Sequence, residues 1–257
     1  MIKLVNVWHH YGIRPVLRNV SLHVEPGQLV AVMGPNGMGK STLLGLMAGI
    51  LSPIKGHVEI DGRRRLHSVK DEIEIRKKVV YLPDNPYLPQ SASGREFLLA
   101  MGRLYRIDEE RLMDHVDRLL TLFDLTEKAD ADIRSYSTGQ KKKIGICSAL
   151  ATEAPVMILD EPFSGGLDSS ALMALSSVLK GLADRKDVTV VMAVPVPELV
   201  ESLAHKIAIV AQGEIVAYDT ADGLRQQAEC TGDLSHVLEK LLHPNVLQNI
   251  QQYLERR

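Results

Sequence analysis

Residues 29–33 (LVAVM) are apolar at every position, and a run without alternation predicts a central parallel strand covered on both faces. Its neighbours are patterned differently. The chain reads as strand from residue 2 onward, and 20–24 (VSLHV) alternates apolar with polar positions as a half-exposed antiparallel strand does. Glu25, Pro26 and Gly27 then form a turn. After the apolar run, 43–51 (LLGLMAGIL) reads as a buried helix, 58–62 (VEIDG) as a short strand ending in a turn, and 79–83 (VVYLP) as another strand.

Between residues 93 and 152 strand signals stop and helical spacing takes over, with Leu112, Val116, Leu119, Leu120 and Phe123 on one face. Strands return at 156–160 (VMILD), 188–194 (VTVVMAV) and 206–210 (KIAIV), separated by helical stretches such as 169–183. Strands alternating with helices predict an α/β fold with a mostly parallel sheet. The expected organisation is an N-terminal antiparallel β subdomain and one nucleotide-type domain over 1–220, with a helical subdomain inserted at about 85–152. A helical extension follows over 221–257, broken at Pro244, with Leu238, Leu241, Leu242 and Val246 on a packing face.

Composition narrows the function. With 30 basic against 32 acidic residues the net charge is -2, so no general electrostatic attraction to nucleic acid is expected. Cys147 and Cys230 stand far apart, without a CxxC pattern or a Cys/His cluster. That suits a reducing compartment and argues against a disulfide framework or zinc. No apolar run reaches the about 20 residues that cross a bilayer, and the start MIKLVNVWHH lacks the apolar core of a signal peptide.

The chemistry begins where the apolar strand ends. Gly34, Pro35, Asn36, Gly37, Met38, Gly39, Lys40, Ser41 and Thr42 follow it directly. They match the P-loop pattern, in which backbone amides close around phosphate oxygens at a helix start. A plain glycine-rich turn would explain the glycines but not a lysine and two hydroxyls at the first helical turn. Lys40 would reach the β and γ phosphates, and Ser41 would hold Mg2+. The fold class is therefore α/β with a P-loop NTPase core. The strand 156–160 ends in Asp160 and Glu161; Asp160 could hold the metal shell, and Glu161 could orient or deprotonate the attacking water.

In this order and spacing the chain resembles the nucleotide-binding subunit of the ATP-binding cassette family, over about residues 2–220. The distinguishing signature, usually LSGGQ before a helix, reads Tyr136-Ser137-Thr138-Gly139-Gln140. The resemblance implies that Ser137, Thr138, Gly139, Gln140 and the helix amino end meet the γ phosphate of ATP held by an opposite subunit, in a homodimer or paired cassette. It also implies that Tyr11 stacks on adenine, and that the cofactors are ATP and Mg2+. His9 and His10 have no metal spacing and read as surface histidines.

Three positions depart from the family pattern. The glutamine expected after the YLP strand is Asp84, a candidate metal contact; YLPD resembles the YLPE of a branch of export cassettes. The switch histidine aligns with Pro195, which has no donor to offer, and His205 lies ten residues later. The loop 163–168 (FSGGLD) has one residue more than usual before Asp168.

The resemblance implies a motor subunit that hydrolyses ATP to drive a separate transmembrane permease, as an exporter, from a cytoplasmic position on the inner face of the membrane. The alternatives are a hydrolysis-impaired nucleotide-regulated protein, a soluble cassette ATPase of translation or DNA repair, or an unrelated P-loop kinase or GTPase. The last leaves the signature unexplained. The lysines 141–143 read as a solvated helix face.

Overall fold

In the computed structural model, which describes residues 1–242, β3 (Leu29–Met33) is buried at every position. It lies between β8 (Thr189–Ala193) and β9 (Lys206–Ala211) and runs parallel to both. Beyond β8 come β7 (Val156–Asp160) and β6 (Val79–Leu82), also parallel. On the other side β10 (Glu214–Asp219) pairs antiparallel with β9, giving the order β10-β9-β3-β8-β7-β6.

Each face of β3 feeds a different core. Val30 and Val32 join Val191 and Ile158 against Leu43, Leu44, Leu46 and Met47 of α1 (Lys40–Ala48). The antiparallel sheet covers the same helix, in the order β2-β1-β4-β5: β1 (Ile2–His10), β2 (Pro15–Val24), β4 (Lys55–Ile60) and β5 (Arg63–Arg64). Leu29, Ala31 and Met33 point the other way, into a core with Met192, Leu159 and Leu175 of α6 (Ser169–Asp184). The period-2 side-chain geometry of a strand divides a continuous apolar run in this way.

The helical stretch contributes to that second core. α3 (Gly94–Leu104) starts from a capping box between Ser93 and Glu96, and α4 (Glu109–Leu122) from an Asp108 cap. Leu112, Val116, Leu119, Leu120 and Phe123 are all buried, on the face their spacing indicates. α5 (Thr138–Leu150) packs against β6 and α3.

Other readings move. The helix expected over 43–51 runs from Lys40 to Ala48 and stops where Gly49 turns with φ 76, its N–H returning to the Gly45 and Leu46 carbonyls. Four elements carry no strong period and were not expected: β5, β10, α2 (Val69–Arg76) and α7 (Pro197–Leu203). β10 completes a hairpin with β9 across Gln212-Gly213. After Asp219 the chain is helical in α8 (Ala221–Gln227) and α9 (Leu234–Leu242), with Leu238, Leu241 and Leu242 packed against the core. Pro244, Val246 and the rest of the expected extension to 257 lie outside the described residues. Among the described residues no helix is long and apolar enough to cross a membrane.

Phe123 is 1% exposed in the core shared by α4 and the sheet. Phe123→Ala is predicted to lower stability by about 3–5 kcal/mol through lost burial and a residual cavity. Denaturant unfolding measures it, and a loss below 1 kcal/mol would show that this helix is not anchored there.

Candidate functional site

The loop 34–39 leaves the carboxyl end of β3 and enters α1. Gly34 takes φ 146, and a Cβ there would lie 2.1 Å from the Val210 carbonyl oxygen, so only glycine lets the chain pass β9. Gly39 occupies the helix cap without a side-chain bond to the first turn, and no acidic residue stands in that turn. The amides at the helix start thus have no side-chain acceptor, the arrangement that favours an anion. Gly37 and Asn36 are exposed, with open space around the Gly37 α-carbon.

Lys40 is buried in the first turn, and its Nζ donates to the carbonyls of Gly34 at 2.8 Å and Pro35 at 3.1 Å. Burial holds its ammonium below the ordinary lysine value, against the raising influence of Glu161 and Asp160. Asp160 is 4% exposed at the end of β7, and its Oδ1 is buried without a hydrogen-bond partner. Burial raises its pKa; the adjacent Ser41 hydroxyl lowers it, the Asp84 charge raises it, and Lys40 and Lys142 lower it. An unpartnered carboxylate oxygen beside a hydroxyl is the hard-oxygen donor set that suits Mg2+, so Ser41 and Asp160 fit the metal. Glu161 follows in a left-handed turn at φ 47, with its N–H on the Ala193 carbonyl at 3.1 Å.

The signature residues form a second group. Ser137 caps α5, its Oγ accepting from Gln140 N at 3.2 Å while its own N–H donates to Gln140 Oε1 at 2.9 Å. Ser137 and Thr138 are exposed. Among the described residues no hydrogen bond or ion pair joins residues 137–140 to the Lys40 loop. Tyr11 is 66% exposed, with its hydroxyl 3.3 Å from Thr42 Oγ1 and its ring 4.9 Å from the His9 ring in an edge contact. A flat aromatic face is thus held free beside the phosphate loop. His9, read from sequence as a surface histidine, is instead buried, with Nδ1 3.0 Å from the Ser52 carbonyl oxygen.

The lysines after the signature also differ from expectation. Lys142 and Lys143 are buried, because α5 is enclosed along nearly its whole length. Lys142 Nζ donates to Asp84 Oδ1 at 3.2 Å and to the Asp84 carbonyl at 3.0 Å. Asp84 is therefore committed first to an ion pair, although its charge is still felt at Asp160. Lys143 pairs at 2.7 Å with Asp168, which caps α6 through Ala171 N at 2.8 Å. That lysine, then the Ser170 hydroxyl and the Ala171 amide, hold the Asp168 carboxyl well below the usual carboxylate range. In the preceding loop Gly165 and Gly166 both turn at φ 81.

His205 lies at the opposite end of the sheet from the loop. Its Nδ1 accepts from Leu29 N at 2.9 Å, at the start of β3. Pro195 is exposed two residues beyond Ala193, the register partner of Asp160.

A protein-family model described as ABC transporter matches residues 17–164. The daunorubicin resistance ATP-binding protein DrrA3 of Streptomyces coeruleorubidus is 31% identical over 87% of this chain and 68% of its own length. Among solved structures, an ATP-binding subunit of an ABC transporter superposes with a TM-score of 0.87, at 27% identity over 94% of this chain and 99% of that one. A dimeric ATP-binding cassette in a post-hydrolysis state, bound to ADP and Pi, gives a TM-score of 0.77 at 27% identity, covering 86% of this chain and 98% of that one.

Asp160 binds its proton more tightly folded than unfolded, so its contribution to stability falls as pH rises through that raised value. Asp160→Asn is predicted to raise the Tm of the nucleotide-free protein by a few degrees at pH 7. Below about pH 3 both states carry a neutral side chain and the difference vanishes. Thermal melts at the two pH values check this, and a lower Tm at pH 7 would contradict it.

Proposed function

Because the chain belongs to the ABC transporter family as an ATP-binding cassette subunit, we propose that it is the hydrolysing motor of an exporter, acting on a separate transmembrane permease. The observation that carries this reading is the buried, unpartnered Asp160 Oδ1 beside Ser41, at the loop gripped by Lys40. Lys40 would exchange its two loop carbonyls for phosphate oxygens. Ser41 and Asp160 would hold Mg2+, which when bound supplies positive charge against the phosphates. Glu161 orients the attacking water and takes its proton. Tyr11 presents its ring to adenine.

Two copies would close head to tail, each offering Ser137, Thr138, Gly139 and Gln140 to the nucleotide of the other. The exposed, capped start of α5 supports this, since helix-start amides attract anions. The dimeric cassette bound to ADP and Pi is consistent with it. Closure would be passed to the permease, with the chain peripheral on the cytoplasmic face of the membrane. The helical subdomain inserted at about 85–152 within the 1–220 cassette domain would pass that motion on, with 221–257 as an extension. Export rests on the YLPD sequence and on the similarity to a daunorubicin resistance ATP-binding protein.

Hydrolysis is slow in this reading, because Pro195 stands where a polar contact to the γ phosphate is expected and offers no donor. That position favours a second reading, a nucleotide-regulated clamp that binds ATP without turning it over. Steady-state turnover of the purified chain with Mg2+ and ATP separates them. We predict slow hydrolysis, abolished in Glu161→Gln and raised about tenfold in Pro195→His. Fast turnover indifferent to Pro195→His would contradict the slow step, and complete inactivity with the permease present would establish the clamp.

A further inference from the structure

Glu161 is held at φ 47, in the left-handed region that non-glycine residues seldom occupy. Such a conformation persists only where neighbours over-determine it. Its carbonyl is bound twice by one residue: Ser164 N–H donates to it at 3.1 Å and Ser164 Oγ at 2.8 Å. Ser164 Oγ also lies 3.0 Å from Asp84 Oδ1 and 3.4 Å from Lys142 Nζ. The hydroxyl has one proton for two acceptors, so the ammonium and the carboxylate together set where it points.

Lys142 is the centre of this arrangement. Its side chain is 6% exposed, and its three donors meet three acceptors from two separate segments: the Asp84 carbonyl, Asp84 Oδ1 and Ser164 Oγ. Nothing is left over for solvent. The lysine lies one turn into the helix that Ser137 caps, and a Cβ at Gly139 would stand 2.9 Å from the Gly166 carbonyl oxygen, so that helix start abuts the same loop. A buried cation with a full set of acceptors is rigid, because losing any one of them leaves a costly unpaired donor.

We infer that Lys142 is a positioning residue for Glu161, acting through Ser164 and Asp84 to lock the turn that aims the carboxylate. Asp84 then serves as the counter-ion that makes a buried lysine tolerable, and the pair ties the segment after β6 and the signature helix to the hydrolytic turn. The functional half of this inference rests on Glu161 being the group that acts on water; the structural half does not.

The test is amide hydrogen exchange on the nucleotide-free full-length chain, with turnover as a second readout. In Lys142→Met, exchange at Ser164 and its neighbours through Gly166 is expected to quicken at least about tenfold while β3 and the 34–42 loop keep the wild-type rate. Lys142→Arg, which preserves charge and donors, restores much of the protection. Turnover in Lys142→Met falls about tenfold at unchanged ATP affinity, since displacement of a catalytic group lowers kcat rather than binding. If exchange quickens everywhere, Lys142→Met has damaged the whole fold, and Ser164→Ala decides: it leaves the lysine paired with Asp84 but must loosen the same turn. Unchanged protection of residues 162–166 in both variants, or losses of turnover that multiply independently in the Lys142→Met/Ser164→Ala double variant, would overturn the inference. A wild-type chain without turnover would fail the hydrolysis reading alone, because the exchange measurement needs none.

Discussion

A buried ammonium group must be given acceptors, and in this fold the one at the carboxyl edge of the central sheet sets the terms for everything near it. Lys40 Nζ is met by two carbonyls of its own loop, with the charges of Glu161 and Asp160 close by. Leaving such a charge unpaired costs several kcal/mol, far more than a single exposed ion pair returns. The loop therefore wraps back on its lysine. Loop carbonyls are modest partners for a cation compared with ionised phosphate oxygens. The parallel order β3-β8-β7 completes the site by bringing Asp160 to the same edge.

Much of this was legible in the sequence, and the reason is physical. An unbroken apolar run such as 29–33 can lie only where both faces are covered, and residues 34–42 pair glycines with a lysine and hydroxyls in a spacing that a plain turn does not need. The buried face of α4 followed from its period. What the sequence hid depends on long-range contact. Lys142 and Lys143 read as solvent-facing because charge on a helix usually is; the signal that could have corrected this is the apolar IGICSAL stretch directly after them, which marks a helix enclosed from its second turn. β10 and α2 carry little hydrophobic contrast and form because β9 and the Arg65–Glu72 ion pair respectively receive them. His9 was misread because a neighbouring loop, through Ser52, closes over it.

Asp84, Pro195 and the 163–168 loop, the three positions read from sequence as departures, follow β6, β8 and β7 at one edge of the sheet. Asp84 is paired with Lys142, and the loop carries two glycines at positive φ. Pro195 is exposed, has no hydrogen-bond donor, and lies two residues beyond the register partner of Asp160. His205 is engaged at the far end of β3.

The central claim is that the ammonium of Lys40 is waiting for phosphate. Isothermal calorimetry of ATP against the intact chain and against Lys40→Ala tests it most directly. The account predicts saturable binding by the native protein and a loss of at least about a hundredfold in affinity on removing the charged group. Equal affinities for the two proteins, or no heat from the native chain at millimolar ATP, would contradict it.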